Sequence, residues 1–472
     1  MQAPPKPPRI LFLDLMRFIA LAMMLQGHTV FAVLDHDIRD GDTTGISVWR
    51  FFRSYTAPVF MTVAGVVFTY LLVLAGHEKT QLNHRLRHGA LRVATLILWG
   101  YALRLPIDGL WRPISQRQLD VGLAIDVLHL IGFGLLTIVS VFLACRPVLR
   151  GGIERVSWAF LILFLGFVQL SPHIAERSFH REIHPLLSPD GRGVTLENST
   201  DPAGARVVAI DPQKFDWGEG LKVGDVIIRI GHRDIENVGD IARAEASQIP
   251  GKLWVWDLLR DGQEWENVGD YTRPVEAFPH ALAFWINRQP ASSGVASQFP
   301  IFPWTAYILF GAALGAALAG MQRRAKIPRF LDLILLLMAA TLIGWASLAD
   351  NLGRAWLGGG ETAIIFRRLG GVMLLAAAVV CLSRGIQRLP PLVIQMSRNS
   401  LWLYIGHLIL LYNIRPWIYR GKFEVAGTLA CVALMFALMI AQTIIIEKKR
   451  QLGSWKKTAG FLLATLRHQK SR

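Results

Sequence analysis

The chain runs to 472 residues, 52% of them hydrophobic and only 18% charged, with a formal net charge of +16 at pH 7. A mean hydropathy of +0.37 is that of a membrane protein, and an ordinary water-soluble enzyme is excluded. The basic residues are scattered among loops rather than gathered on one face, so no nucleic-acid partner is expected.

A hydrocarbon layer roughly 30 Å thick takes about 20 apolar helical residues to cross. Backbone in lipid must satisfy its own hydrogen bonds, so the spans are expected to be helices. In chain order the first five fall at 10–34, 56–75, 89–111, 121–145 and 155–171. The first is too long, and with Asp14 and Arg17 too charged, for the core of a cleaved signal peptide. After a polar insert, five more follow at 302–321, 328–349, 368–382, 392–412 and 424–447. The expected fold is a polytopic all-α bundle of about ten transmembrane helices in two blocks, 1–175 and 300–472, with a small β-rich domain inserted at 189–271. Lys and Arg favour the loops on the N-terminal side by roughly two to one, as in Arg323-Arg324-Ala325-Lys326 and Lys448-Lys449-Arg450. That bias places both termini in the cytoplasm, the insert outside, and the chain in an inner membrane. The three cysteines, Cys145, Cys381 and Cys431, lie in or beside spans and suggest neither a disulfide framework nor a metal site.

Within the insert, strands are expected at 193–197, 205–210, 226–230 and 253–259, with a helix at 238–248 and a turn at Asp261-Gly262. Gly220-Leu221-Lys222-Val223-Gly224-Asp225-Val226-Ile227, followed by Gly231 to Ile235 and then Arg260-Asp261-Gly262, resembles a bacterial-type PDZ domain. The resemblance implies that an extended peptide or a free protein C-terminus adds as a strand, with the carboxylate cradle at the loop before Gly193 and Val194. A spacer or a contact surface is the alternative. His180 and His184 are four apart, but Glu182 is not directly after His180 and Pro185 breaks the helix, so the zinc-protease pattern is absent. No metal site is expected.

Ionisable side chains inside spans are unfavourable by roughly 3 kcal/mol each near the bilayer centre, which makes them functional candidates. The first span carries Asp14, Arg17 and His28. Eleven residues at about 100° each return His28 to within about 20° of the Arg17 face, about 16 Å further along the axis. Asp14 and Arg17, three apart, are expected to pair. Asp126 and His129 in the fourth span, and Asn399, Ser400, Tyr404 and His407 in the ninth, are expected at neighbouring depths. A neutral imidazole accepts a proton near pH 7, and a carboxylate fixes its tautomer.

Leu13-Asp14-Leu15-Met16-Arg17 with His28, the second-span Ala57-Pro58-Val59-Phe60-Met61 running to Gly65, and Asp126-Val127-Leu128-His129 running to Gly132 resemble the transmembrane acyltransferases. Asn399-Ser400-Leu401-Trp402-Leu403-Tyr404-Ile405-Gly406-His407 strengthens the likeness, which is closest to heparan-α-glucosaminide N-acetyltransferase and its bacterial relatives. The spacing from Arg17 to His28 is equally that of the O-acyltransferases of cell-envelope polysaccharides, so N- and O-acylation both stay open. Arg17 is followed by Phe18 rather than glycine, and the catalytic histidine, which that family places in the loop after the first span, is assigned here to His28 over His36. The resemblance implies acetyl-CoA entering from the cytoplasm and a glycan or amino-sugar acceptor on the far side, with no permanently bound cofactor. His28 is then the general base or an acyl-carrying nucleophile, His407, Asn399 and Tyr404 orient or stabilise the oxyanion, and Asp126 and His129 complete the acceptor pocket. Arg17, Arg87 and Arg92 attract the nucleotide phosphates, and Ser400 joins the binding surface. A transporter or flippase with a PDZ-like partner module is the rival, but it predicts an inverted repeat that the sequence lacks.

Overall fold

A computed structural model of the chain describes residues 10–41, 43–104, 116–147, 152–183, 194–210, 221–231, 233–246, 254–269, 272–276, 279–286, 295, 297–324, 327–352, 359–413 and 421–469. Helices α1 (Leu11–Val33), α2 (His36–Asp40), α3 (Thr44–Ser54), α4 (Thr56–Ala75), α5 (Lys79–Ala102), α6 (Gln116–Leu123), α7 (Val127–Cys145) and α8 (Val156–Ser178) come first. Strands β1 (Phe179–Ile183), β2 (Val194–Thr200), β3 (Ala203–Ile210), β4 (Val226–Ile230) and β5 (Arg233–Asp234) lead to α9 (Val238–Ala246). Then follow β6 (Trp254–Arg260), β7 (Gln263–Gly269), β8 (Thr272–Glu276) and α10 (His280–Ile286). The chain ends with α11 (Ile301–Arg323), α12 (Leu331–Leu352), α13 (Gly359–Arg384), α14 (Pro391–Arg398), α15 (Ser400–Leu408) and α16 (Val425–Gln469).

Two compact units result, one helical and one containing residues 176–283. In the helical unit, seven runs among the described residues are long and apolar enough to cross a membrane: α1, α3 with α4, α7, and α11, α12, α13 and α16. The protein is therefore a polytopic membrane protein. The departures from the expected spans have local causes. The third helix begins at Lys79, ten residues early, because the polar stretch Lys79–His88 continues the helix outward. The fourth is broken at Asp126, which caps α7 instead of lying inside it. The ninth is split at Asn399, whose backbone (φ −94°, ψ 12°) leaves the helical region between α14 and α15. The apolar part of α8 is only Val156–Pro172.

Helices α4 and α11 approach closely, backbone to backbone. A Cβ on Gly311 would overlap the carbonyl oxygen of Thr62, one on Gly315 that of Val66, and one on Gly65 that of Ile308. Small residues let two membrane helices approach backbone to backbone, where packing rather than water drives association. Leu333, Leu337 and Trp345 on α12, and Leu429, Leu434 and Ile445 on α16, are exposed to lipid instead.

The second unit is a β-sheet module. Its six-stranded antiparallel sheet runs β2-β3-β4-β6-β7, with β5 on β4, and β1 pairs separately with β8. Ala205, Val207, Ile227, Ile230, Trp256 and Leu258 are buried together, a register shift between Ile227 and Arg229 interrupting the period of two on β4, and Ile241 and Ala244 of α9 join the same core. The β6–β7 hairpin turns on Asp261 and Gly262, both with positive φ (51° and 79°), as a two-residue loop demands. Asp225 is 1% exposed and accepts two hydrogen bonds of 2.7 Å from Arg260 plus the Lys222 N–H at 2.6 Å. Thus the two sequence signals Gly224-Asp225 and Arg260-Asp261-Gly262 are the two halves of one ion pair.

Candidate active site

His28, one turn and a half before the end of α1, and His407, in the last turn of α15, come together from opposite ends of the sequence. Their rings meet edge to face with centroids 5.4 Å apart. His407 is fully buried, and its Nδ1 lies 3.1 Å from the Leu403 carbonyl. A carbonyl only accepts, so the proton sits on Nδ1 and Nε2 presents a lone pair. That Nε2 has no partner among the described residues. His28 Nδ1 lies 3.5 Å from the Tyr412 hydroxyl. Tyr404 is 2% exposed, and its ring abuts His407 at 5.3 Å and stacks on Phe60 at 6.4 Å.

Asp126 and His129 have a more local task than expected. Asp126 caps α7 by accepting the Val127 N–H at 2.5 Å, while its own N–H donates to His129 Nδ1 at 3.1 Å. Because that nitrogen accepts, His129 is neutral with its proton on Nε2, which is buried with no partner among the described residues. His129 therefore offers a donor, not a base. Its ring lies 4.2 Å from Tyr101, and Gly100 has no Cβ because the imidazole fills that space. The Asp126 carboxylate remains within electrostatic reach of His28, His129 and Tyr404, and Arg104 within reach of His129 and Tyr404.

A cavity of about 330 Å³ opens further along α1, lined by Arg17, Arg85, His88, Arg92, Phe60 and Ser400 among others. Phe60 belongs both to this cavity and to the stack on Tyr404, so a row of packed rings, Phe60, Tyr404 and His407, lies between the arginine-lined space and His28. Arg85, His88 and Arg92 share one face at helical spacing. Arg87 is exposed and does not line the cavity; Arg85 takes the place expected of it. The expected Asp14–Arg17 pair is not formed. Among the described residues Arg17 has no carboxylate within 4.0 Å, and Asp14 attracts it only from beyond that distance. Asn399 is also re-assigned. Its amide donates to Glu447 at 2.7 Å and accepts from Arg450 at 3.2 Å, beside the Arg398–Glu447 ion pair. It ties α15 to α16 about 12 Å of helix away from His407.

Tyr412 was not anticipated. It lies in a π-helical turn, Ile409–Asn413, and no apolar period signals such a turn. Arg85, by contrast, was legible from its position three and seven residues before His88 and Arg92. Val194 opens β2, at the edge of the sheet, and Gly193 lies outside the described residues. Among the described residues no group of three or more His, Cys, Asp or Glu side chains is placed to hold a metal.

Residues 9–180 match the family described as Heparan-alpha-glucosaminide N-acetyltransferase, catalytic. The chain carries an acyltransferase catalytic region. The matched stretch is somewhat over a third of the chain and takes in Arg17, His28, Arg85, Arg92, Asp126 and His129. His407 and Tyr412 reach the site from outside it. No curated protein matches the chain.

Proposed function

We propose that the protein takes an acetyl group from acetyl-CoA on one side of an inner membrane and gives it to a hydroxyl or amine of a glycan or amino sugar on the other. The observation that carries this reading is the meeting of His28 with His407 in a helical unit where α1 also lines the arginine-rich cavity. The positive-inside bias puts that cavity on the cytoplasmic side, where Arg17, Arg85 and Arg92 meet the nucleotide phosphates through charge-assisted hydrogen bonds. The pantetheine arm then runs along α1 toward His28, about 16 Å away.

We assign the proton of His28 to Nδ1, which faces the Tyr412 hydroxyl, and this makes Nε2 the basic nitrogen. It takes the acceptor's proton as the acceptor oxygen or nitrogen attacks the thioester carbonyl. The tetrahedral intermediate collapses with departure of the CoA thiolate, which receives the proton from the imidazolium. His129 Nε2–H and the Tyr404 hydroxyl are the donors available to the oxyanion, and His407 holds His28 in place. No acyl-enzyme is needed for this sequence of steps. The histidine-rich site and the family match both favour transfer over transport.

The β-sheet unit is read as a PDZ-like module on the extracytoplasmic side. β2 is an edge strand, and the N-terminus of α9 is fastened to it by Val238 N–H donating to Asn198 Oδ1 at 2.8 Å. An extended peptide C-terminus would add along β2, beside α9. The test of the enzymatic reading is direct. Purified protein is mixed with acetyl-CoA and a glucosamine-terminated oligosaccharide, and mass spectrometry looks for one added acetyl group. At a hundredfold excess over Kd, acetyl-CoA should also stabilise the fold by about 2.7 kcal/mol. The absence of both acetyl transfer and stabilisation would refute the proposal.

A further inference from the structure

Two cavities outside the catalytic path share a wall. The first, about 180 Å³, is enclosed by α1, α4, α11, α12 and α13 and is apolar throughout except for Thr62. The second, about 520 Å³, opens at one end of the helical unit, where Ile327, Arg329, Val380, Ser383 and Arg384 surround it. Phe12 and Leu331 line both, so the charged mouth borders the apolar chamber across these two side chains. From these features we infer a site for one anionic glycerophospholipid, its phosphate at Arg329 and Arg384 and one acyl chain inserted among α1, α12 and α13.

Dimensions and charge support that occupant. Arg384 in the mouth and Val372 in the chamber are twelve residues apart on α13, about 18 Å. One leaflet of hydrocarbon is roughly 15 Å deep, half of a ~30 Å core. The slot therefore spans the depth of a single lipid tail. An apolar chamber with one hydroxyl in its wall is a poor home for water. At the mouth, Arg384 is ion-paired with Asp332 and donates to the Arg329 carbonyl, while Arg329 is exposed and has no carboxylate partner among the described residues. Two arginines against one aspartate leave an excess positive charge at the level where lipid phosphates lie. Basic pockets between membrane helices at this level are suited to anionic headgroups. A soluble phosphate could meet the arginines but would leave the chamber empty, so the tail distinguishes the two sources.

Native mass spectrometry of the full chain, purified in dodecyl maltoside and supplied with equal phosphatidylglycerol and phosphatidylcholine, tests the site. Wild type is expected to keep one phosphatidylglycerol per chain, at least fivefold over phosphatidylcholine. Arg329→Gln, which alters an exposed side chain, should reduce retention at least fivefold. Ala376→Phe, which fills the chamber and leaves both arginines in place, should do the same. Equal retention of the two lipids, or unchanged retention in either variant, overturns the inference. So does stabilisation by inorganic phosphate equal to that by phosphatidylglycerol. These outcomes do not involve acetyl transfer, so the lipid site and the catalytic reading stand or fall separately.

Discussion

Replacing His28 by alanine should separate chemistry from folding, because the two effects differ in size. Among the described residues, the ring's polar and aromatic contacts are a 3.5 Å approach to Tyr412 and edge-to-face meetings with His407 and Tyr412. An edge-to-face ring pair is worth roughly 0.5–1.5 kcal/mol, and His28 is only half-buried. Loss of the ring should therefore lower stability by about 1–2 kcal/mol. A general base contributes about 10²–10⁴ in rate, or roughly 3–5 kcal/mol of barrier at about 1.4 kcal/mol per decade. Acetyl transfer from labelled acetyl-CoA, normalised to folded protein by size-exclusion fluorescence, should fall at least a hundredfold in His28→Ala while the melting temperature moves by only a few degrees. His407→Ala, tested in parallel, should weaken turnover less if it positions His28. Activity within threefold of wild type in His28→Ala, at equal folded protein, would refute the assignment. A larger loss in His407→Ala would transfer the role of base to its free Nε2.

Arg17→Gln and Arg92→Gln should raise the KM for acetyl-CoA about tenfold or more with little change in kcat, since a charge-assisted hydrogen bond is worth roughly 1.5–3 kcal/mol; initial rates across acetyl-CoA concentrations decide this. Arg87→Gln, away from the cavity, should leave KM unchanged. Gly311→Leu forces a side chain into the Thr62 backbone and should abolish monodisperse folded protein, whereas Gly344→Ala, with nothing within 4 Å of the added Cβ, should not; both are read by size-exclusion chromatography. Asp225→Ala removes three hydrogen bonds, two of them from Arg260, a loss of about 3–5 kcal/mol for a buried pair, and should open the β-sheet unit to limited proteolysis.

The membrane character was legible in composition, and the strands of the insert fell close to their expected places because turn residues punctuate them: Gly224-Asp225, then Asp261-Gly262. Helical arithmetic sets Arg17 and His28 near one face of α1; in the structure Arg17 lines the cavity and His28 meets His407. What failed was anything set by side-chain competition. Asp14 and Arg17 have the spacing to pair, yet the cavity wall takes the arginine. Asp126 and His129 have the spacing of an acid–base couple, and the same spacing makes a capping box. Sequence distance cannot choose between those outcomes, because both satisfy the same polar groups. Arg87 and Arg85 differ only in which side of one helix they occupy, and the position of the cavity decided that.

The ninth segment shows how far one irregularity can reorganise a site. Had the helix run on unbroken past His407, Tyr412 would stand five residues on, about 140° around the axis from it. The π-helical turn at Ile409–Asn413 winds the chain more loosely, so residues five apart come toward one side. Tyr412 thereby reaches His28 Nδ1 while His407 reaches the same ring from its edge. At the other end, Asn399 fastens α15 to Glu447 and fixes its depth. One helix with a tied start and a loosened end thus presents two side chains to a histidine almost four hundred residues earlier. A straight helix would leave the residue at 412 about 140° around the axis from His407.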